Sequence, residues 1–166
     1  MNKFNNKGIS LTTLTVAIIL LIIITSILVY NAQTGTKLKK LNEMYNDVEL
    51  LTDKISMYYS KYAAIPVAIP YENQTKINEI KESLQLSPND NDKYYIIDLS
   101  ALEDVTLNYG RDYKEITKNN ANTKEDVYII NEQSHHIYYV KGVILDGISY
   151  YTNDRDEKID LMFENI

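Results

Sequence analysis

An apolar stretch near the amino terminus constrains this chain more than any other feature. No charged residue occurs from Gly8 to Thr36, and Ile9–Tyr30 is almost continuously apolar. As a helix this run would extend ~33 Å, enough to cross the hydrocarbon core of a bilayer. The stretch therefore predicts a transmembrane helix over residues 9–30.

A secretory signal peptide is the alternative interpretation of such a segment. Its apolar core is usually ~7–15 residues long and is followed by a cleavage site flanked by small residues. Here the apolar run is longer, and Asn31-Ala32-Gln33 matches such a site poorly. The positive-inside rule leaves the orientation open, because lysines flank both ends of the run: Lys3 and Lys7 before it, and Lys37, Lys39 and Lys40 after it.

Charge is distributed unevenly along the chain. The 166 residues carry 17 Lys+Arg and 23 Asp+Glu, a net charge of −6. The charged residues among 1–40, however, are all lysines. The remainder is therefore strongly acidic, which disfavours nucleic acid as a partner because phosphate binding needs a basic surface. Cysteine is absent, which excludes disulfides, thiol nucleophiles and cysteine-ligated metal centres.

A second helical pattern follows the apolar run. Apolar residues recur every three or four positions, as expected for an amphipathic helix with one buried stripe, and Pro66 and Pro70 place its last residue near Ala63. We predict an amphipathic continuation of the helix over residues 31–63. The stripe comprises Leu38, Leu41, Tyr45, Val48, Leu51, Ile55, Tyr58 and Tyr62, with Asp47 among the polar residues between them.

The middle of the chain is less regular. We predict a loop over 64–73, a short helix over 75–86 and a strand or ordered turn over 93–99. Ser100-Ala101-Leu102-Glu103 fits a capping box, which predicts one helical turn. The polar segment 111–125 is predicted to be a mobile loop.

The carboxy-terminal part has the patterning of antiparallel strands. Asp146-Gly147 between apolar runs is a strong hairpin signal. The predicted fold class is α+β, with a long amino-terminal helix packed on a small antiparallel sheet in a domain over 64–166. The predicted strands are Asp126–Ile130, His136–Val140, Gly142–Leu145 and Ile148–Tyr151.

The residues before the apolar run resemble a known processing signal. A short polar leader ends in Lys7-Gly8, and Ile9 begins the uninterrupted hydrophobic stretch. This arrangement resembles the class III leader of type IV pilins and pseudopilins, and the order of long helix, irregular segment and antiparallel meander is similar to theirs. The resemblance implies a pilin-like fold and a leader peptide over residues 1–8.

The same resemblance implies partners and a location. A prepilin peptidase would cut between Gly8 and Ile9 and methylate the new amino terminus. The protein would then lie in the cell membrane with its carboxy-terminal domain outside, and pass into a surface filament. Other pilin or pseudopilin subunits and the inner-membrane assembly platform would be its partners. From the acidic charge balance and the lack of binding motifs, we predict no direct contact to nucleic acid and no cofactor.

Thr13 departs from the family pattern. The fifth residue after the cut is usually a glutamate, which is thought to pair with the amino terminus of a neighbouring subunit. Threonine can bond to its own helix, here to the carbonyl of Ile9, but cannot neutralise an amine. Because some minor pseudopilins also lack this glutamate, Thr13 indicates a minor subunit.

Other polar clusters suggest chemistry only weakly. His135 and His136 are adjacent on a predicted strand or its entrance, so their side chains would point to opposite faces and not share a metal. Asn153-Asp154-Arg155-Asp156-Glu157 with Asp160 is acidic enough to suggest calcium, but it has no glycine and contains Arg155. We interpret both as solvated surface groups.

Tyrosine pairs are frequent in this sequence. On strands each pair is expected to point one ring into the core and one outward, where it is available for contact with another subunit. The pairs are Tyr58-Tyr59, Tyr94-Tyr95, Tyr138-Tyr139 and Tyr150-Tyr151.

No sequence motif of an enzyme is present: we find no nucleophile elbow, phosphate loop or Cys/His arrangement. The leading hypothesis is a non-enzymatic, pilin-like structural subunit, processed at Gly8 and assembled as a minor component of a type IV pilus or of a type II secretion or competence pseudopilus. The alternative is an uncleaved single-pass membrane protein that presents a small extracytoplasmic binding domain.

Overall fold

The fold is α+β, with helices and a small antiparallel sheet. The computed structural model describes residues 11–86 and 92–153, and along the first helix it describes the side chains at 14–26 and from residue 35 onward. The chain divides into two compact units, Met1–Lys37 and Leu38–Ile166. The helices are α1 (Leu11–Tyr62) and α2 (Gln74–Ser83), and the strands are β1 (Val67–Tyr71), β2 (Tyr94–Ile97), β3 (Tyr128–Asn131), β4 (Ile137–Tyr139), β5 (Val143–Leu145) and β6 (Ile148–Tyr150).

Strands β1 to β4 form an antiparallel meander in chain order. Strands β5 and β6 form a separate two-stranded sheet. Asp146 and Gly147 connect them with φ angles of +52° and +84°, which is the backbone that a tight two-residue hairpin turn requires. The predicted carboxy-terminal strands and the Asp-Gly hairpin are confirmed.

The four-stranded sheet buries side chains on both faces. Alternate residues of each strand point to opposite faces, and the two sets belong to different core clusters. Val48, Leu51 and Ile55 of α1 pack with one set, and Ile77 and Ile80 of α2 pack with the other. The sheet is therefore a central layer between the packed part of α1 and α2.

The buried stripe predicted for α1 is present between Leu41 and Ile55. Val48, Leu51 and Ile55 are fully buried, as the stripe predicts, and Met44 is buried beside them. Both ends of the stripe differ from the prediction, since Leu38 and Tyr62 are exposed. The helix ends where Ala63 takes a left-handed backbone with φ of +51°.

One strand was missed in the predicted loop 64–73. Val67–Tyr71 forms β1 at the edge of the sheet, where Pro70 is tolerated because an edge strand has a side without ladder hydrogen bonds. The register shifts between Val67 and Ile69, and these two side chains pack on opposite faces of the sheet. This bulge breaks the simple alternation that identifies a strand in a sequence.

The segment 111–125, predicted as a mobile loop, contains two short helical elements that the sequence reading missed. Arg111–Glu115 and Ala121–Thr123 are short 3₁₀ helices. Asn120 holds the segment between them, because its Oδ1 accepts from the Thr117 amide at 2.7 Å and its Nδ2 donates to the Glu115 carbonyl at 3.0 Å. Polar side chains here order the backbone through local hydrogen bonds.

Two element ends differ from prediction for local reasons. The turn predicted at 100–103 is a 3₁₀ helix over Leu99–Ala101, and Asp98 caps it by accepting from the Ser100 amide at 3.0 Å. Helix α2 ends at Ser83, where Gln85 adopts φ of +54° and the Leu86 amide donates to the Lys81 carbonyl at 2.9 Å. That reversal is a common helix stop, although glycine usually supplies it.

We expect residues 33–166 to form a soluble, folded, monomeric domain, because the packed part of α1 buries its own apolar stripe. In that domain Val48→Asp should lower the melting temperature sharply or prevent folding, since a buried unpaired carboxylate costs several kcal/mol. Asn46→Asp, which places the same charge at an exposed position of the same helix, is the matched control. An unchanged melting temperature for Val48→Asp would contradict the packing.

Candidate functional site

The first candidate surface is the apolar run of α1. Its described large apolar side chains are 48–64% exposed. They occur at nearly every position, so they face all sides of the helix rather than one. A helix that is apolar all round needs apolar surroundings. The residues are Leu14, Val16, Ile18, Ile19, Leu20, Leu21, Ile22, Ile23 and Ile24.

Polar side chains in this run bond to their own helix. The Thr25 hydroxyl donates to the Leu21 carbonyl at 2.7 Å, and the Ser26 hydroxyl donates to the Ile22 carbonyl at 2.7 Å. These bonds satisfy the hydroxyl protons without solvent. At these positions the helix therefore exposes few unsatisfied hydrogen-bond donors to apolar surroundings.

The residues predicted to be processed lie outside the described part of the chain: Lys7, Gly8 and Ile9 precede it. Thr13 lies in α1, but its side chain is not among those described. Within residues 11–86 and 92–153, no helix meets the length and hydropathy required of a membrane span.

The second candidate is a buried carboxylate on the packed part of α1. Asp47 is 2% exposed. The Asn108 backbone amide donates to both carboxylate oxygens, at 3.0 and 2.9 Å, and the Asn108 side-chain amide donates at 2.9 Å. The Tyr109 amide and the Tyr128 hydroxyl each donate to Oδ2 at 2.9 Å. Asp47 thus ties α1 to the chain at 108–109 and to strand β3.

A second carboxylate extends this network. Asp126 Oδ1 accepts from the Gly110 amide at 2.7 Å and from the Tyr139 hydroxyl at 2.9 Å. Gly110 has φ of +82°, and a Cβ there would lie 3.1 Å from the Tyr128 ring. Glycine therefore allows residues 108–110 to approach both carboxylates.

The network changes the acidity of its tyrosines. Burial, followed by the charge of Asp47 and the hydrogen bond to it, raises the pKa of Tyr128. Burial and the hydrogen bond to Asp126 raise the pKa of Tyr139. Both phenols are therefore held in the protonated, donating form at neutral pH. This arrangement orients donors onto carboxylates and places no activated nucleophile at a surface.

Neither histidine belongs to a group of possible metal ligands among the described residues. His135 takes φ of +57° in the turn before β4, and burial followed by the neighbouring His136 lowers its pKa. Among the described residues no three His, Asp or Glu side chains are placed to hold a metal ion. Of the acidic calcium candidate only Asn153 is described, and residues 154–160 lie outside.

The expectation of one inward and one outward tyrosine is wrong for Tyr138 and Tyr139. Each is 2% exposed, Tyr138 in the cluster that includes α2 and Tyr139 in the cluster that includes α1. Both rings are buried because both faces of the sheet are covered. These two tyrosines are therefore core residues and offer no surface for a partner.

A cavity of about 370 Å³ lies beside the last turns of α1. Met57 and Tyr62, which are 66% and 53% exposed, line it together with Lys54 and Glu103. The Lys54 ammonium donates to the Glu103 carbonyl oxygen at 2.8 Å, so two residues of the lining are joined by a hydrogen bond. Its size falls within the range of small-ligand sites.

No family model, curated protein or solved structure matches this chain.

Sequence reasoning listed Asp47 only among the polar residues between the stripe positions and did not predict its burial. One signal was present: Asp47 is three residues after Met44 and four before Leu51, so it lies on the edge of the buried face. The donors that make its burial tolerable are 61 to 81 residues away in the chain, and no local pattern marks them.

We expect Asp47→Ala to destabilise the domain 33–166 by at least about 3 kcal/mol, because several buried donors lose their acceptor together. Tyr128→Phe removes a single donor and should cost about 1–2 kcal/mol. Urea denaturation measures both changes. Equal, small losses for the two variants would contradict the view that Asp47 joins α1 to the sheet.

Proposed function

We propose that this chain is a pilin-like structural subunit, cut after Gly8 by a prepilin peptidase and assembled as a minor component of a type IV pilus or of a type II secretion or competence pseudopilus. The observation that carries the proposal is the exposed apolar surface of α1 over residues 14–24. Exposed apolar surface of this extent is typical of a segment that contacts lipid or other proteins.

The proposed anchor is the charge-free run Ile9–Tyr30, of which residues 14–26 have described side chains. In this proposal the run first lies in the cell membrane, with the acidic domain outside, and later packs among the helices of other subunits. The hydroxyl bonds of Thr25 and Ser26 to their own helix suit both environments, because neither environment supplies water.

The folded domain fits a structural role. Its most deeply buried polar group, Asp47, is fully engaged in attaching α1 to residues 108–109 and to β3. In a subunit that carries its domain on α1, such an attachment would resist separation of the helix from the sheet. We propose no catalytic role for the chain.

A second candidate function is an uncleaved single-pass membrane protein with a small binding domain. The cavity beside Met57 and Tyr62 favours it, because this cavity combines exposed apolar and charged side chains. The two candidates differ in the fate of residues 1–8.

We expect the mature protein to begin at Ile9, with a methylated amine, in cells that contain an active prepilin peptidase. Gly8→Leu should block processing, because a large side chain beside the scissile bond would not fit the peptidase cleft. Gly35→Leu is the matched control, since open space surrounds that position. Mass spectrometry of the membrane form measures the mass of the chain. Recovery of intact residues 1–8 in the unaltered protein would favour the uncleaved alternative.

We expect the protein not to form long filaments alone. Each mature amino terminus would enter an apolar core without the usual acid, because Thr13 supplies none, and an unpaired buried ammonium costs several kcal/mol. Thr13→Glu should be tolerated and should increase incorporation along the filament shaft.

Immunogold labelling of sheared filaments with subunit counting measures this incorporation. The unaltered subunit should appear at low copy, beside a partner that carries the glutamate. Dense labelling along whole filaments, in a strain without any other pilin, would contradict the minor-subunit proposal.

A further inference from the structure

The cavity beside the last turns of α1 is lined by groups of opposite charge. Lys54 and Lys61 line it from α1, two helical turns and ~10 Å apart along the axis. Glu103 and Asp104 line it from the segment that follows the first 3₁₀ helix. Within residues 11–86 and 92–153, none of these four side chains forms an ion pair. The cavity therefore offers both an ammonium and a carboxylate that a ligand could neutralise.

Apolar side chains form the rest of the lining. Met57 is 66% exposed, and the rings of Tyr58 and Tyr62 lie 4.5 Å apart, centre to centre. Leu102, which is buried, lines the cavity from the other segment. A mainly apolar lining with a few charged groups is typical of sites that bind small molecules.

Both segments of the lining are fixed by the core. Ile55 and Leu102 belong to the same buried cluster, and Tyr58 packs against it. The hydrogen bond from the Lys54 ammonium to the Glu103 carbonyl joins the two segments directly, and it uses one of the three ammonium protons. The cavity is therefore preformed, and a ligand would bind without first ordering its walls.

Lys61 and Glu103 are the pair of charges that a ligand would bridge. The Lys61 ammonium lies 4.9 Å from the centre of the Tyr62 ring. Tyr62, first of all through a hydrogen bond, and then the charge of Glu103 raise the pKa of this ammonium, so Glu103 acts on it electrostatically although the two groups are not in ion-pair contact. A small zwitterion between them would pair its carboxylate with one and its ammonium with the other.

We propose that this cavity binds a free α-amino acid with a large apolar side chain. The ligand carboxylate pairs with Lys61, its ammonium pairs with Glu103, and its side chain packs against Met57, Tyr62 and Leu102. A ligand with a single charge binds more weakly, because it leaves one of the two cavity charges unpaired and partly desolvated. The proposal is independent of whether the amino terminus is processed.

Methyl NMR of the full-length chain in detergent micelles tests the proposal, with L-phenylalanine as the probe. The chain has four methionines, and ¹³C labelling makes each methyl group a reporter. Met57 lines the cavity, whereas Met44 is fully buried in the core and does not line it. We expect phenylalanine to shift the Met57 signal saturably in the millimolar range, because so small a ligand makes few contacts, and to leave the Met44 signal in place. Met57→Leu identifies the Met57 signal by removing it.

Two analogues separate the contributions of the charges. Phenethylamine lacks the carboxylate, and 3-phenylpropanoate lacks the ammonium. Each should bind at least about tenfold more weakly than phenylalanine, because one charge-assisted hydrogen bond is lost. Absence of a saturable Met57 shift, equal shifts of Met44 and Met57, or an analogue that binds as well as phenylalanine would each overturn the proposal.

Neutral substitutions test the two proposed partners. Lys61→Gln and Glu103→Gln should each weaken phenylalanine binding by at least about tenfold. Lys118→Gln and Glu49→Gln, which remove the same charges from exposed positions outside the cavity lining, are the matched controls and should bind as the unaltered chain does. All four positions are exposed, so the variants should fold, and an unchanged Met44 signal checks that they do. Unaltered binding by the two cavity variants would overturn the proposal.

Discussion

Burial of both faces of one small sheet is the constraint on which the domain depends. Antiparallel sheets often leave one face in water, but here the residues of β2 alternate strictly between two cores: Tyr94 and Ile96 face α2, and Tyr95 and Ile97 face α1. Each helix is therefore needed to cover one face. Apolar residues at consecutive strand positions, including the tyrosine pairs, follow from that architecture.

The sequence predicts the elements whose signals are local. The stripe of α1 around Val48 and Ile55, and the Asp146-Gly147 turn, required only helix periodicity and turn chemistry. The strand β1 was missed because its register shift changes which side of the chain faces each core, and because Pro70 disfavours a strand. The short helices within 111–125 were missed because Asn120 shapes this segment through hydrogen bonds to nearby backbone groups. Composition alone predicts a polar loop there.

The candidate sites also differ in how far the sequence alone predicts them. The apolar run of α1 can be read from the sequence, since it depends on the side chains alone. The Asp47 network could not be predicted, because the donors at Asn108, Tyr109 and Tyr128 come together only after the sheet has formed. The tyrosine pairs were misjudged for a related reason: whether a second ring is exposed depends on what covers the other face of the sheet.

The donors around Asp47 are all uncharged: two backbone amides, one side-chain amide and one phenol. Exposed ion pairs such as Lys39–Glu43 weaken as dissolved salt shortens the Debye length, which is ≈ 8 Å at physiological ionic strength. A buried carboxylate held by neutral dipoles lies out of reach of mobile counterions. These hydrogen bonds between α1 and its domain should therefore depend on ionic strength much less than the exposed ion pairs do.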